Sequence, residues 1–379
     1  MPSGDARIAS LDVLRGVAIL GTFASNAWVF AQPGGPAAWL SDPGAPGLVE
    51  TGLLLLSNGK FLALLTLLFG VGLALQHRSA VRRGLPWPGR YPVRALVLFA
   101  EGLLHYLLIF EFDVLMGYAI TALLVARLIA SSERVQHRWT VAVGSVYAAV
   151  LLAITALLVA VPVGPQDPAP VPASTGSWTA QVAQRVEQFP VFRLELVFVV
   201  PSATVLFLVG ARLLRAGAFE DTAAGARIRR RLAWLGLGVA FPLNAMTAFA
   251  GEAWVLVDRY LLPPVVALGL LGLGTTLVLR VRRGPVQRGL AAVGRMALTC
   301  YVLQNLVAGA LCYDWGLGLA TRFADARPGW VVGLWAGVSL LLVAASTLWL
   351  RHADRGPLEL MADRLHGARR QPGPTSATR

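Results

Sequence analysis

The chain has 379 residues, of which 56% are hydrophobic and only 14% are charged. Soluble globular proteins carry about 25% charged residues, so this composition excludes a water-soluble fold. The mean hydropathy of +0.63 excludes a disordered chain. The net charge of +13 does not indicate nucleic-acid binding, because the basic residues lie in short gaps between apolar segments. The sequence therefore predicts an integral membrane protein.

A transmembrane helix needs about 20 mainly apolar residues, and segments of this kind recur along the whole chain. They are residues 13–30, 55–75, 94–110, 113–130, 139–163, 193–214, 232–250, 260–280, 294–313 and 328–350. Most of the 33 Lys and Arg residues lie in alternate connections, which the positive-inside rule assigns to the cytoplasm. Lys60 and Arg259 are among the few in outer segments. We therefore predict an all-α polytopic transmembrane helical bundle of about ten spans, with both termini inside.

The first span would also fit a cleavable signal peptide with its cleavage site at Ala24–Ala27. We reject that interpretation because the apolar segment continues beyond the site. Asn26 lies in the outer half of this span, far from the arginine at its start. An amide there could donate a hydrogen bond to a developing oxyanion. An interhelical hydrogen bond is the equally good alternative.

Only one of the five histidines, His105, lies within a predicted span. Glu101 precedes it by four residues, which places both on one helical face. A carboxylate there would hold the imidazole in one tautomer and raise its basicity, as a general base or nucleophile requires. The alternative is a buried pair that ties helices together. Asp113 follows a very short turn and is expected near the outer end of the same helix.

The predicted outer segment 164–192 opens with a Pro-rich stretch, Pro165–Pro172, which cannot be helical. Apolar residues then follow at the spacing of one helical face: Trp178, Val182, Val186 and Phe189. We predict an amphipathic helix on the outer membrane surface, which would either cover a site or seal the bundle. The tail, residues 367–379, is expected to be disordered.

The remaining polar features of the sequence favour packing and topology over chemistry. Gln304 and Asn305 lie near the middle of a span, where interhelical hydrogen bonding is the simplest interpretation for each alone. The clusters Arg227–Arg231 and Arg280–Arg283 fit topology signals and contacts with anionic lipid. No Walker motif and no metal-ligand spacing occurs. We therefore predict neither a metal site nor a nucleic-acid partner.

Five stretches, in order along the chain, resemble the YeiB-like bacterial membrane proteins. They are Arg7–Gly21 with Asn26, Phe61–Gln76, Gly102–His105 with Asp113–Leu115 and Tyr118–Ala119, Gly294–Gln304, and Arg355–Glu359. The last two resemble the C-terminal region known as DUF418. The chain departs from the family pattern at Phe112, where a glycine is usual, and at Cys300, where an asparagine is usual. The resemblance implies an acyltransferase-like membrane region over residues 1–163 and a DUF418 membrane region over residues 193–366.

The resemblance also implies a chemistry, because this family is placed with the transmembrane acyltransferases. Their lysosomal relative acetylates heparan glucosamine from acetyl-CoA and carries its histidine in the loop after the first span. This sequence has no histidine between Asn26 and Lys60, so His105 would have to serve. We therefore predict transfer of an acyl group from cytoplasmic acyl-CoA, a co-substrate, to an outer hydroxyl or amine acceptor, either a small molecule or a glycan.

Residue roles follow from that hypothesis. The predicted catalytic residues are His105 as base or acyl carrier, Glu101 to orient it, Asn26 for the oxyanion and Asp113 at the outer mouth. The predicted acyl-CoA-binding residues are Arg15, Arg295 and Gln304.

Two other functions stay open at this stage. A proton-coupled small-molecule transporter or exporter would use His105, Glu101 and Asp113 as a relay. An assembly or sensing role has no feature for or against it. The expected location is the bacterial plasma membrane, with the lipid bilayer as a partner, and the sequence leaves open whether the chain forms a homodimer.

Overall fold

The computed structural model describes residues 4–41, 46–161, 175–281 and 284–365, and in these ranges all regular structure is helical. The Pro-rich stretch Pro165–Pro172, residues 282–283 and the predicted tail 367–379 lie outside them. The α-helices are α1 Gly4–Phe30, α2 Gly35–Ser41, α3 Leu48–Ser57, α4 Lys60–Arg82, α5 Tyr91–Leu108, α6 Leu115–Leu128, α7 Glu133–Ala160, α8 Trp178–Glu187, α9 Phe189–Arg193, α10 Leu196–Arg215, α11 Ala223–Ala233, α12 Phe241–Ala248, α13 Leu262–Arg280, α14 Pro285–Arg295, α15 Ala297–Cys312, α16 Leu319–Arg322, α17 Gly329–Trp349 and α18 Pro357–Leu365.

The prediction of an all-α polytopic bundle is confirmed, and each of the predicted spans overlaps one or more helices. Seven segments of the described chain are long and apolar enough to cross a membrane, or eight if one bent pair counts as a span. They are Ser10–Phe30, Leu48–Arg82, Tyr91–Leu108, Glu133–Ala160, Phe189–Arg215, Glu252–Arg280 and Gly329–Trp349. The count is lower than the sequence suggested because α6 has only 14 residues, a π-helix, Trp234–Ala240, separates α11 from α12, and one predicted span is bent.

The bent span is residues 294–313, which form two helices, α14 and α15, at 90° to each other. Close packing of α14 on α1 explains the bend: a Cβ on Gly294 would lie only 1.8 Å from the Asp12 carbonyl oxygen. A Cβ on Gly16 would lie 2.0 Å from the Leu290 carbonyl oxygen. The exposed amides at the start of α15 are capped by Glu359, whose Oε1 accepts hydrogen bonds from the backbone amides of Leu298 and Thr299.

The core of the bundle contains α1, α4, α10 and α15, whereas α7 lies at its periphery. Glycines allow the central helices to approach backbone to backbone. A Cβ on Gly70 of α4 would lie 2.2 Å from the Phe207 carbonyl oxygen, and one on Gly210 of α10 would lie 2.2 Å from the Leu67 carbonyl oxygen. By contrast, only 11% of the apolar window of α7 is buried. Most of the α7 surface therefore remains available to lipid.

Candidate functional site

The candidate site begins where α5 ends and the chain turns back into α6. Gly102 makes this turn compact, because a Cβ there would lie 2.8 Å from Oδ1 of Asp113 and 2.7 Å from the backbone nitrogen of Met116. Oδ1 of Asp113 accepts a hydrogen bond from that same nitrogen at 3.2 Å, at the start of α6. The turn thus places a carboxylate directly against the helix that carries His105.

His105 is the centre of a buried chain of hydrogen bonds, which we call the histidine cluster: His105, Asp113, Asn305 and Asn26. His105 Nδ1 lies 2.9 Å from Asp113 Oδ2, and His105 Nε2 lies 3.1 Å from Asn305 Nδ2. Asn26 Nδ2 donates to Asn305 Oδ1 at 3.2 Å. His105, Asp113 and Asn305 are at most 4% exposed. The cluster brings together side chains from α1, α5, α15 and the turn before α6.

The donor pattern determines the tautomer of the imidazole. The Asn305 amide nitrogen can only donate, so His105 Nε2 accepts from it and Nδ1 carries the hydrogen that is donated to Asp113. A carboxylate in this position orients the ring and fixes its tautomer. The Tyr301 ring, 5.0 Å from the imidazole ring, packs against it. Chemically, the arrangement is a histidine whose Nε2 electron pair accepts a hydrogen bond from Asn305 and becomes free to take a proton when that bond is released.

The prediction that Glu101 orients His105 is wrong, because the carboxylate that contacts His105 is that of Asp113. Helical side chains lean toward the helix N-terminus, so Glu101 extends toward the start of α5 and lines a cavity there. Its Oε1 is buried and has no hydrogen-bond partner within the described part of the chain. Asp113 was expected at the outer mouth of the site, and it instead bonds the histidine directly.

The cavity that Glu101 lines, which we call the arginine-rich cavity, has a volume of about 490 Å³. Its charged lining residues are Asp12, Arg15, Arg94, Glu101, Arg295, Asp354, Arg355, Glu359 and Asp363. The rest of the wall is mainly apolar, with leucines, alanines, glycines and a phenylalanine, and also includes Gln76 and Tyr91. Arg94, Arg295 and Arg355 are exposed, whereas Arg15 and Glu101 are half-buried. Polar groups at the exposed rim thus adjoin an apolar interior.

Two helices connect the arginine-rich cavity to the histidine cluster. On α5, Glu101 lines the cavity and His105 follows one turn later, about 6 Å along the axis. On α15, Leu298 lines the cavity and Tyr301, three residues later, packs on the His105 ring. The imidazole therefore lies close behind the cavity wall.

Two of the three predicted acyl-CoA-binding residues, Arg15 and Arg295, line the arginine-rich cavity. Gln304 does not line it, so this part of the prediction is corrected. The residue lies six positions beyond Leu298, about 9 Å deeper along α15. It is fully buried, and neither its Nε2 nor its Oε1 has a hydrogen-bond partner among the residues that the structure describes.

A second, smaller cavity of about 80 Å³ lies on the other side of the histidine cluster, and we call it the opposite cavity. Asn26 lines it and also bonds Asn305, so this asparagine links the cavity to the cluster. Arg259 forms part of the wall and donates to Asn58 Oδ1 at 3.1 Å and to Glu195 Oε1 at 3.3 Å. The histidine cluster thus lies between two polar-lined cavities.

Sequence reasoning missed several polar residues around the opposite cavity. Lys60, counted only as an outer charge, is 1% exposed, and its Nζ donates to the Asn58 carbonyl oxygen at 3.3 Å. Asp258 accepts hydrogen bonds from Asn58 Nδ2 at 3.3 Å and from Asn244 Nδ2 at 2.7 Å. The available signal was the Asn58-Gly59 pair within an apolar segment, where the glycine adopts a φ of +70°. Asn305, interpreted as a source of interhelical hydrogen bonds, does bond two other helices, through Asn26 of α1 and His105 of α5.

The predicted amphipathic helix is present as α8, but its polar side faces the protein. Arg185 is 1% exposed, whereas Val186 is 60% exposed. Arg185 Nε lies 2.9 Å from Glu111 Oε1, and its Nη2 donates to the Ile109 carbonyl oxygen at 3.0 Å. Burial raises the pKa of the Glu111 carboxyl, and Arg185 opposes that rise. The helix therefore covers the turn that holds Asp113, with apolar side chains directed outward.

Comparison with known proteins finds one family and bacterial relatives that are similar to the chain. Residues 213–366 match the family described as "Protein of unknown function (DUF418)". The chain is 28% identical to the uncharacterized protein YeiB of Escherichia coli (strain K12) over 381 residues, which cover 93% of this chain and 94% of that protein. The chain thus has a region that matches DUF418 and is similar to YeiB over most of its length.

A second relative extends the similarity to another bacterium. The chain is 25% identical to the uncharacterized protein YxaH of Bacillus subtilis (strain 168) over 387 residues, or 93% of this chain and 92% of that protein. No solved structure matches the chain. With its apolar helices and these relatives, the chain is a multi-pass protein of the bacterial plasma membrane.

The stretches that resemble the YeiB-like proteins converge on the site. Residues 11–16, 294–299 and 355–359 contribute to the arginine-rich cavity. Residues 102–105 and 113–119 lie on either side of the turn between α5 and α6 and bring Asp113 against His105. Glu359, the last residue of the C-terminal stretch, caps the helix that begins in the 294–299 stretch. Residues of these stretches therefore supply much of the cavity lining and three of the four residues of the histidine cluster, His105, Asp113 and Asn26.

Proposed function

We propose that the protein is a membrane-embedded acyltransferase that takes an acyl group from acyl-CoA in the arginine-rich cavity. The acceptor, a hydroxyl or an amine, would approach from the opposite cavity. One observation carries this proposal: the buried His105–Asp113 pair lies between two cavities, one helical turn from the first and linked to the second through Asn305 and Asn26. By the positive-inside rule, the arginine-rich cavity faces the cytoplasm, where acyl-CoA is available.

The donor side is supported by the chemistry of the arginine-rich cavity. Guanidinium groups bind phosphates in bidentate fashion, and the exposed Arg94, Arg295 and Arg355 would hold the phosphates of CoA. The apolar wall, which includes Leu68 and Leu98, would accept the uncharged arm that ends in the thioester. The thioester carbonyl would then lie toward the end of the cavity nearest His105.

The transfer step follows from the tautomer of His105. After Asn305 releases Nε2, this nitrogen takes the proton of the acceptor O–H or N–H while the acceptor atom bonds to the thioester carbonyl carbon. Asp113 stabilises the imidazolium that forms. The C–S bond then breaks, and the CoA thiolate takes the proton back from Nε2. The products are an ester or amide and free CoA. Amide hydrogens of Asn305 or Asn26 would stabilise the negative charge on the carbonyl oxygen.

The testing experiment measures acetyl-CoA binding to the purified protein in lipid nanodiscs by calorimetry. We expect saturable binding that His105→Ala leaves unchanged and that Arg94→Ala combined with Arg295→Ala weakens. Arg78→Ala is the matched control, because Arg78 is an exposed arginine on α4 that does not line the cavity. If neither acetyl-CoA nor a longer acyl-CoA binds, the acyltransferase proposal is wrong.

A second candidate function is proton-coupled transport. It is favoured by the unpartnered Oε1 of Glu101 and by the polar side chains that connect the two cavities, since intramembrane carboxylates and histidines commonly form proton relays. Proton uptake into proteoliposomes containing the pH dye pyranine separates the two functions. The acyltransferase proposal expects no uptake above that of empty liposomes. Uptake that is lost in both His105→Ala and Glu101→Gln would favour transport.

A further inference from the structure

An apolar groove runs along the peripheral helix α7 where it faces α10. Its volume is about 570 Å³, and its lining includes Trp139, Val143, Val146, Val150, Val197 and Pro201. The lining extends from Arg138 to Leu151 on α7, a rise of about 20 Å. The hydrocarbon core of a bilayer is about 30 Å thick. The groove is thus long enough for much of one lipid chain.

The groove and the opposite cavity share one wall residue, Phe198. Its ring stacks on the ring of Tyr260, with centroids 5.1 Å apart and an angle of 26°. Tyr147 also lines the groove, and its hydroxyl donates a hydrogen bond to the Tyr260 carbonyl oxygen at 3.4 Å. The lipid-facing groove is therefore separated from the polar cavity beside Asn26 by an aromatic layer.

The chemistry of the two spaces differs sharply. The opposite cavity is small, about 80 Å³, and its wall includes Asn26, Glu195 and Arg259. It has room for a hydroxyl or amine group with a few neighbouring atoms. The groove has almost entirely apolar walls and opens to the bilayer side of α7. Together, the two spaces match a molecule with a small polar head and a long hydrocarbon chain.

We infer that the acceptor is a membrane lipid whose hydrocarbon chain lies in the α7–α10 groove and whose hydroxyl or amine head reaches the opposite cavity past Phe198. This inference rests on the proposed acyl transfer and specifies its acceptor. The aromatic ring of Phe198 must rotate to admit the head group. Because entry is lateral from the bilayer, the acceptor need not leave the membrane.

The first test asks whether a lipid chain occupies the groove. The probe is a phosphatidylethanolamine with a photoreactive diazirine in its acyl chain, in nanodiscs, with labelled residues located by mass spectrometry. We expect labels to concentrate on Val143, Val146 and Val150. Val146→Phe should reduce this labelling several-fold, whereas Val141→Phe should leave it unchanged. Both valines are lipid-exposed, at 64% and 51%, but only Val146 lines the groove.

Two results of this test would overturn the inference. One is labelling spread evenly along the exposed face of α7, which is the behaviour of unspecific surrounding lipid. The other is an equal response to Val146→Phe and Val141→Phe. Neither result depends on acyl-CoA, so the test stands even if the protein proves not to be an acyltransferase.

The second test asks whether the lipid in the groove is the acceptor. With radiolabelled acetyl-CoA, we expect the label in the lipid extract of nanodiscs that contain phosphatidylethanolamine, and several-fold less with Val146→Phe. Calorimetry on the same variant should show unchanged acetyl-CoA binding. Label that appears only on an added water-soluble amine, at equal rates in both variants, would refute the lipid acceptor. The acyltransferase proposal would survive that result.

Discussion

The histidine cluster and the arginine-rich cavity differ in how their polar groups are satisfied. Around His105, the hydrogen bonds run from Asn26 through Asn305 to Asp113, and the imidazole, the carboxylate and Asn305 are buried. In the cavity, arginines are exposed at the rim and a carboxylate oxygen of Glu101 has no partner. In the proposed acyl transfer, the cluster would be the preorganised reaction centre. The rim arginines Arg94, Arg295 and Arg355 each hydrogen-bond to a neighbouring residue and would bind a charged ligand through their remaining N–H groups.

The largest expected effect separates chemistry from binding. His105→Ala should lower the rate of acyl transfer by about 10²–10⁴-fold, the usual contribution of a general base. Acetyl-CoA affinity should stay unchanged, since His105 does not line the arginine-rich cavity. The measurement combines single-turnover kinetics with calorimetry. An equal loss of rate and of acetyl-CoA affinity would show that His105 takes part in binding, so that the cluster and the cavity form one binding site.

Helix α8, which covers the turn that holds Asp113, is held in place by the buried ion pair between Arg185 and Glu111. Arg185→Met should destabilise the fold by about 3–5 kcal/mol, because it leaves a buried carboxylate without its partner. Thermal unfolding in detergent measures this effect. The double variant Arg185→Met with Glu111→Leu should recover most of the loss, since no unpaired charge remains. Equal destabilisation of the single and double variants would show that packing, not charge pairing, holds α8 in place.

Close packing at the turn makes the histidine cluster sensitive to a single methyl group. Gly102→Ala should destabilise the protein by about 1–3 kcal/mol, because the new Cβ would collide with Asp113 Oδ1 and the Met116 nitrogen. Gly333→Ala is the matched control, since nothing lies within 4 Å of a Cβ there. Alanine should stabilise that helix by up to about 1 kcal/mol. Thermal unfolding of both variants tests this prediction. Similar melting temperatures would show that a methyl group at position 102 does not disturb the packing of the turn.

The smallest expected effect concerns the rim of the arginine-rich cavity. Arg94→Ala should weaken acetyl-CoA binding by about two- to fivefold, the scale of one exposed charge interaction. The difference from the unsubstituted protein should shrink at high salt, because exposed charges are screened. Arg78→Ala should have no effect at either ionic strength. An affinity loss for Arg94→Ala that does not respond to salt would mean that Arg94 acts through packing.

Part of the site could be predicted from the sequence. His105 was recognisable as the histidine inside an apolar segment, and Asp113 and Asn26 were recognisable by their depth in neighbouring spans. The structure brings all three into one cluster, with Asn305 as the bridge between His105 and Asn26. Asn305 lies 279 residues from Asn26, and no local pattern could show that they meet.

The sequence by itself determined the membrane class and the positions of the helices, because apolar length and helical periodicity are local properties. Only the tertiary structure decided which carboxylate serves His105, since the answer depends on the turn that packs on Gly102. The bend between α14 and α15 likewise depends on distant groups, the backbone of α1 and the cap from Glu359. The side of α8 that faces the protein follows from Glu111 and from carbonyl groups at the end of α5. The contacts that decide the bend and the orientation of α8 join residues remote in sequence, so no local pattern shows them. His105 and Asp113 are close in sequence, but which carboxylate meets the imidazole depends on how the turn between them folds.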